Sequence, residues 1–367
     1  MSQLVVVKIG TSTLTGGTPR LSRPNMLDII RQLVRLREDG YRIVLVSSGA
    51  MAAGRELLDN PKLPNHLPAK QMLSAVGQNY LMQVYSTLFG HYDVKIGQVL
   101  LTHADFKNRT GYINARNTMS TMLDFGIVPI VNENDTIAVE EIKVGDNDNL
   151  SAHIAALLDA DKLILLTDQD GLFDSDPRTN SSARLITNVE RIDESVWQLA
   201  GTSVSGLGTG GMMTKIQAAQ LATRSGTQTI IANGRTSDVL LRLLAGESLG
   251  TTFEAVTTKL ESRKRWLLAE HPAGRLIIDD GAAAVLERDG ASLLPVGIKS
   301  VHGEFERGAL VGIENLRGEA LAQGLSNYTN SELERIAGQH SDSIIEILGY
   351  TYGSAAVHRD HMVLIGR

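Results

Sequence analysis

Short runs of consecutive apolar residues alternate with longer stretches in which apolar residues recur every three or four positions. Residues 4–7, Leu-Val-Val-Val, are too few for a helix and carry no alternation, as expected of a strand buried on both faces. Lys8-Ile9-Gly10-Thr11-Ser12 follows at once. Pro24 opens a helix that turns Leu27, Ile30, Leu33 and Val34 inward, and Gly40 closes it. Residues 43–46 form a second strand, running into Ser47-Ser48-Gly49-Ala50. A long helix over 68–89, a strand over 96–101 and a helix ending near Asp124 come next, then a strand over 127–131. Beyond a polar stretch and one more helix lies a strand over 163–166, with Thr167-Asp168 behind it. Strands alternating with helices predict an α/β fold with a mostly parallel sheet covered by helices on both faces.

The pattern changes near residue 258. Lys259, Glu261, Arg263, Lys264 and Arg265 form a charged connector, followed by short strands over 275–278, 310–313 and 320–325 and one helix over 280–287. This reading gives a catalytic domain over 1–257, a linker over 258–272, a small β-rich module over 273–350 and a tail over 351–367.

Composition narrows the possibilities. Aromatic residues are only 4% of the chain, so aliphatic side chains must fill the core. There is no cysteine, which excludes disulfides, zinc-thiolate sites and thiol nucleophiles. The net charge of −6 argues against a broad nucleic-acid footprint, and residues 273–350 carry twice as many acids as bases. No apolar run approaches the length of a membrane span, and the N-terminus has no basic segment with an apolar core behind it. The expectation is a soluble, cytoplasmic protein with no membrane and no nucleic-acid partner.

The chemistry concentrates in two stretches. Residues 132–151 hold six carboxylates and four carboxamides with one cation, Lys143. They lie where a strand ends and a helix begins, which is where open α/β sheets bind ligands. A solvated acidic loop, with Asp148 or Asn149 capping the next helix, is the plain structural reading. The Asn/Asp alternation at both ends, 132–135 and 146–149, favours fixed hydrogen bonds to a small polar ligand instead. The second stretch is Ser205-Gly206-Leu207-Gly208-Thr209-Gly210-Gly211-Met212-Met213-Thr214-Lys215, a glycine loop before a helix, suited to a phosphate. It formally matches a dinucleotide fingerprint but lacks the preceding strand. Its Thr214-Lys215 is not the Gly-Lys-Ser/Thr of a Walker loop. Asp124-Phe125-Gly126 and His358-Arg359-Asp360 stand in the inverse of protein-kinase order.

Six segments in order carry a resemblance: residues 7–12, 47–50, 131–135, 143–151, 166–168 and 208–212. Together they resemble the amino acid kinase superfamily, and within it the bacterial glutamate kinase family. The segment 290–298 resembles the PUA domain, named for pseudouridine synthases and archaeosine transglycosylases. The resemblance implies an amino acid kinase fold and transfer of the γ-phosphoryl of ATP to the side-chain carboxylate of L-glutamate, the first step of proline synthesis. Lys8, Lys215 and Asp148 are then expected to be catalytic. Ser48, Gly49, Asn132, Asp135 and Asn147 are expected to hold glutamate. Lys8, Gly10, Thr11, Thr167, Asp168, Thr209, Gly210, Gly211, Met212, Met213, Thr214 and Lys215 are expected to bind ATP. Met213 stands where the family has a small or hydroxyl residue. Mg²⁺ is expected to arrive with the nucleotide, with no metal ligand assigned on the protein. The resemblance also implies a homo-oligomer, proline as feedback inhibitor and glutamyl phosphate reductase as a partner. The alternatives are a kinase for aspartate, N-acetylglutamate, carbamate or a nucleoside monophosphate, and an RNA-binding or RNA-modifying protein acting through the PUA-like module.

Overall fold

A computed structural model describes residues 2–64, 66–138, 147–201, 211–259, 261, 267–268 and 271–365. The chain divides into two compact units: residues 1–107 with 115–259, and residues 108–114 with 260–367.

The first unit is built on an eight-stranded sheet of order β3-β4-β2-β1-β5-β7-β8-β6. The strands are β1 (Leu4–Ile9), β2 (Arg42–Ser47), β3 (Ile96–Leu101), β4 (Val128–Glu133), β5 (Lys162–Thr167), β6 (Asn188–Val189), β7 (Gln228–Asn233) and β8 (Thr251–Phe253). The six from β3 to β7 in sheet order pair in parallel, and only the β7–β8 pair is antiparallel. All six residues of β1 are buried, which is why its sequence is a continuous run rather than an alternation. Chain order reverses at β1: β2 and β4 lie on one side of it and β5 and β7 on the other. That crevice at the carboxyl edge is where such sheets take ligands.

Helices cover the sheet. In α2 (Arg23–Glu38) the Ser22 side chain caps the first turn, and Met26, Ile29, Ile30, Leu33 and Val34 are buried. Leu27, expected inward, is 38% exposed, because the buried stripe is phased one residue earlier, on Met26. Between α3 (Ala50–Leu57) and α4 (Leu67–Gly90) the backbones nearly touch. A Cβ on Gly77 would stand 1.8 Å from the Ala50 carbonyl oxygen, and one on Gly54 would stand 2.0 Å from that of Leu73. Only glycine permits that approach.

The second unit carries a five-stranded sheet, order β10-β9-β11-β12-β13, over β9 (Gly274–Ile278), β10 (Ile298–His302), β11 (Leu310–Glu314), β12 (Ala320–Ser326) and β13 (Val357–Leu364). Leu276, Ile278, Ile298, Val311, Ile313, Tyr328 and Leu333 form its core. Two findings modify the sequence-based partition. Residues 357–364, assigned to a tail, are strand β13, antiparallel to β12. Residues 108–114 group with this unit, where Ile113 is fully buried with Leu267, Leu310, Leu325 and Val363.

Candidate active site

Parallel pairing brings the carboxyl ends of β1, β2, β4, β5 and β7 to one edge. Lys8 lies beside Val46 and Leu165, Val46 beside Val131, and Thr167 beside Asn233. A lysine inside a fully buried strand is costly without a partner. The partner comes from α7 (Asn147–Leu157), which follows the acidic stretch. Helix α7 begins at Asn147, so Asp148 lies within its first turn rather than capping it.

Asp148 is fully buried and has its carboxylate divided between two cations. Oδ1 is 2.6 Å from Lys8 Nζ, and Oδ2 is 3.2 Å from Lys215 Nζ. The Thr214 hydroxyl donates to the same Oδ2 at 2.7 Å. Both lysines are themselves 5–6% exposed. Burial alone would push the Asp148 carboxyl up; the charges of Lys8 and Lys215, with the Thr214 hydroxyl, outweigh it and hold it well below the usual carboxylate range. The triad carries a net charge of +1 at the mouth between β1 and β5, suited to an anion.

On the β2–β4 side the amides form a chain. The Glu133 backbone N–H donates to Asn132 Oδ1 at 2.9 Å, and Asn147 Nδ2 donates to the same oxygen at 3.0 Å. Asn147 Nδ2 also reaches Ser48 Oγ at 3.1 Å. Gly49 precedes α3 with a φ of 98°, a conformation that favours glycine. Asp135 lies just beyond β4, where burial pushes its carboxyl up and the Ser74 hydroxyl opposes the shift. Ser48, Gly49, Asn132, Asp135 and Asn147 thus stand around the ends of two adjacent strands.

The opposite side holds the candidate nucleotide residues. Gly10 follows β1 directly, and a Cβ there would lie 3.7 Å from Lys8 Nζ, an ordinary contact distance. Thr11 starts a five-residue helix. Thr167 is buried at the end of β5 and donates to Asp168 Oδ1 at 3.2 Å. Gly211 caps α9 (Met212–Arg224), whose first turn contributes Met212, Met213, Thr214 and Lys215. Met212 is buried and Met213 is 37% exposed. Thr209 and Gly210 lie outside the described residues, as do Lys143 and the glycines at 206 and 208.

Residues 3–233 match the amino acid kinase family, and residues 274–348 match the PUA domain. The chain is 52% identical to a glutamate 5-kinase of Sodalis glossinidius over 99% of each chain. It is 54% and 53% identical to glutamate 5-kinases of Escherichia fergusonii and Salmonella newport, again over 99% of each. The chain belongs to the amino acid kinase family. Among solved structures, a UMP kinase of Bacillus anthracis is 16% identical with a TM-score of 0.48, the match covering 70% of this chain and 97% of that one.

Three features of this family member escape a sequence reading. Gln78, on α4, accepts from Asn132 Nδ2 through Oε1 at 2.7 Å. Ser74 lies one turn before it on the same helix and approaches Asp135. Thr214, expected at the nucleotide, spends its hydroxyl on Asp148. Nothing in the sequence separates the first two from the other polar residues of the helix, among them Gln71, Asn79 and Gln83. A shallow recess beside Met212 is lined by Leu172, Phe173, Pro177 and Leu199 together with the polar Gln169, Ser175 and Asp176. The helix Glu194–Gly201 precedes the glycine loop, which accounts for the missing strand of a dinucleotide fold. Among the described residues no helix is long and apolar enough to cross a membrane.

Proposed function

We propose that the protein transfers the γ-phosphoryl group of ATP to the side-chain carboxylate of L-glutamate, giving L-glutamyl 5-phosphate and ADP. The observation that carries this reading is the buried Asp148 held between Lys8 and Lys215, at an edge with amides and a carboxylate on one side and a glycine-capped helix on the other. The relatives named glutamate 5-kinase, similar over the whole chain, support the choice of acceptor.

The chemistry asks little of the protein beyond placement. A side-chain carboxyl with a pKa near ~4.3 is ionised at neutral pH, so no general base is needed. A carboxylate oxygen attacks the γ-phosphorus, a new P–O bond forms, and the bond to the β–γ bridging oxygen breaks as ADP leaves. Charge gathers on the three equatorial oxygens. Lys8, from the acceptor side, and Lys215, from the α9 side, neutralise it, and Asp148 fixes both ammonium groups beforehand. Asp135 pairs with the α-ammonium of glutamate, and Ser48, Asn132 and Asn147 fix the rest of its head. Thr167, Asp168 and the first turn of α9 hold the nucleotide, with the base against Phe173 and Pro177.

The residues present fit Mg²⁺ brought by the nucleotide. Both Asp148 oxygens are occupied by lysine ammonium groups, which leaves the phosphates of the nucleotide to carry the ion. Bound in that way, the ion supplies further charge neutralisation at the phosphates. The same reading includes a homo-oligomeric, cytoplasmic enzyme of proline synthesis, inhibited by proline, whose unstable product passes to glutamyl phosphate reductase.

The deciding experiment is an acceptor screen with ATP, Mg²⁺ and hydroxylamine, which traps acyl phosphates as hydroxamates. Glutamate should give the strongest signal. More hydroxamate from aspartate or N-acetylglutamate at equal concentration refutes the assignment.

A further inference from the structure

The three amides at the acceptor side have a fixed direction, and one backbone N–H sets it. The Glu133 N–H can only donate, so the atom of Asn132 that it meets is the acceptor Oδ1. Asn132 Nδ2 therefore faces Gln78, and Gln78 must turn its Oε1 toward it. On the other side, Asn147 turns its Nδ2 to Asn132 Oδ1 and toward the Ser47 carbonyl, which can only accept. The two ends of the relay are thus opposite in kind. Gln78 Nε2 is a buried donor and Asn147 Oδ1 a buried acceptor, and neither has a protein partner among the described residues. Buried polar atoms are normally paired, so both ends are positioned for a ligand.

A free donor and a free acceptor flanking Asn132, with Asp135 alongside, match the carboxylate and the ammonium of an α-amino acid head. Asp135 and Asn147 Oδ1 suit the ammonium, which leaves Gln78 Nε2 for the α-carboxylate. Gln78 does not serve the reacting carboxylate. It bonds to β4, two strands from Lys8 in the sheet order β4-β2-β1, roughly 10 Å by strand spacing.

We infer that Gln78 is a specificity-determining residue that binds the α-carboxylate of the acceptor through Nε2, its direction fixed by the Asn132 relay. This rests on the proposed acceptor being an α-amino acid. The glycine crossing of α3 and α4 serves the same end. Gly77, next to Gln78, lets α4 lie against Ala50, at the helix that starts beside Ser48 and Gly49.

The test compares L-glutamate with L-isoglutamine, which keeps the side-chain carboxylate but carries an α-amide. The unaltered protein should prefer glutamate by at least about 10-fold in kcat/KM, the scale of one hydrogen bond to a charged group. Gln78→Met should raise the glutamate KM about 10-fold or more, with kcat and the ATP KM within about twofold. Gln78→Glu should lower the glutamate-to-isoglutamine preference by at least about 10-fold, because its carboxylate repels one head and accepts from the other. A merely structural role would not change that ratio. The inference fails if both variants keep the glutamate KM, or if both substrates lose kcat/KM in equal proportion. Should the variants not fold, a preference below about threefold in the unaltered protein overturns it. No glutamyl hydroxamate from the unaltered protein overturns the proposed function and this inference with it. Normal glutamate turnover with unaffected Gln78 variants overturns the inference alone.

Discussion

Replacing Asp148 by asparagine probes the centre of the site with almost no change of volume. The new amide would keep an oxygen for the Thr214 hydroxyl but would remove the carboxylate held between two lysines that are 5–6% exposed. Breaking a buried pair by removing one partner costs about 3–5 kcal/mol, since the other charge stays buried and uncompensated. At about 2–4 °C per kcal/mol for a unit of this size, the melting temperature should fall by about 6 °C or more. Turnover should fall further than stability suggests. Lys8 and Lys215 would no longer be held for the developing charge, and losing one such preorganised donor costs about 10²- to 10³-fold in kcat. Nucleotide binding should move the other way. In the native protein Asp148 competes with phosphate oxygens for both ammonium groups, whereas in the variant the triphosphate supplies the missing anion. The ATP KM should therefore stay level or fall, and ADP should raise the melting temperature of the variant more than that of the native protein. Steady-state hydroxamate kinetics and thermal melts with and without ADP measure all of this. A kcat within about threefold of native, or an ATP KM that rises as kcat falls, would refute the reasoning.

Lys8→Ala and Lys215→Ala should each lower kcat about 10²-fold or more while the protein stays folded by circular dichroism, and near-native turnover in either removes that lysine from the mechanism. Asp135→Ala should mainly raise the glutamate KM, and a large loss of kcat at constant KM contradicts its assignment to ground-state binding. Because burial pushes the Asp135 carboxyl above its ordinary value, it takes up its proton at a higher pH than a free aspartate as the solution is acidified. The glutamate KM should therefore rise on mild acidification before the ATP KM does, and Asp135→Asn should flatten that profile; an unchanged profile in the variant removes Asp135 as its source. A chain ending at Thr258 should still fold and phosphorylate glutamate, but with a lower melting temperature, since Ile113 loses Leu267, Leu310, Leu325 and Val363, about 1.5–3 kcal/mol for one buried side chain. An inactive yet folded truncation would contradict this, as would sub-micromolar tRNA binding by the intact protein at physiological salt, given the acidic balance of residues 273–350.

The amino-acid order alone determined the parallel sheet and the polar ends of its strands. Uninterrupted runs such as 4–7 and 163–166 have no solvent face, and only strands covered on both sides tolerate that. Local pattern marked the acidic, amide-rich stretch around Asp148 and the glycine loop before Lys215, whereas the catalytic roles of Lys8, Asp148 and Lys215 were expected only through the family resemblance. Tertiary structure decided what those residues do to one another. The sequence places Thr214 in the glycine-loop segment, and only the position of α9 brings its hydroxyl to Asp148, 66 positions away. Gln78 carried no local mark of function; its bond to Asn132 spans 54 positions and depends on two glycines that let α4 approach α3. Residues 351–367 read as a tail, and only the pairing of Val357 and of 362–364 with β12 brings 357–364 into the sheet. Leu27 was assigned to the wrong side of α2 because spacing defines a helical stripe, while packing against the sheet selects which of two adjacent phases is buried. Periodicity is a property of neighbours along the chain, whereas charge pairing, amide direction and strand membership depend on residues that meet only after the sheet has assembled.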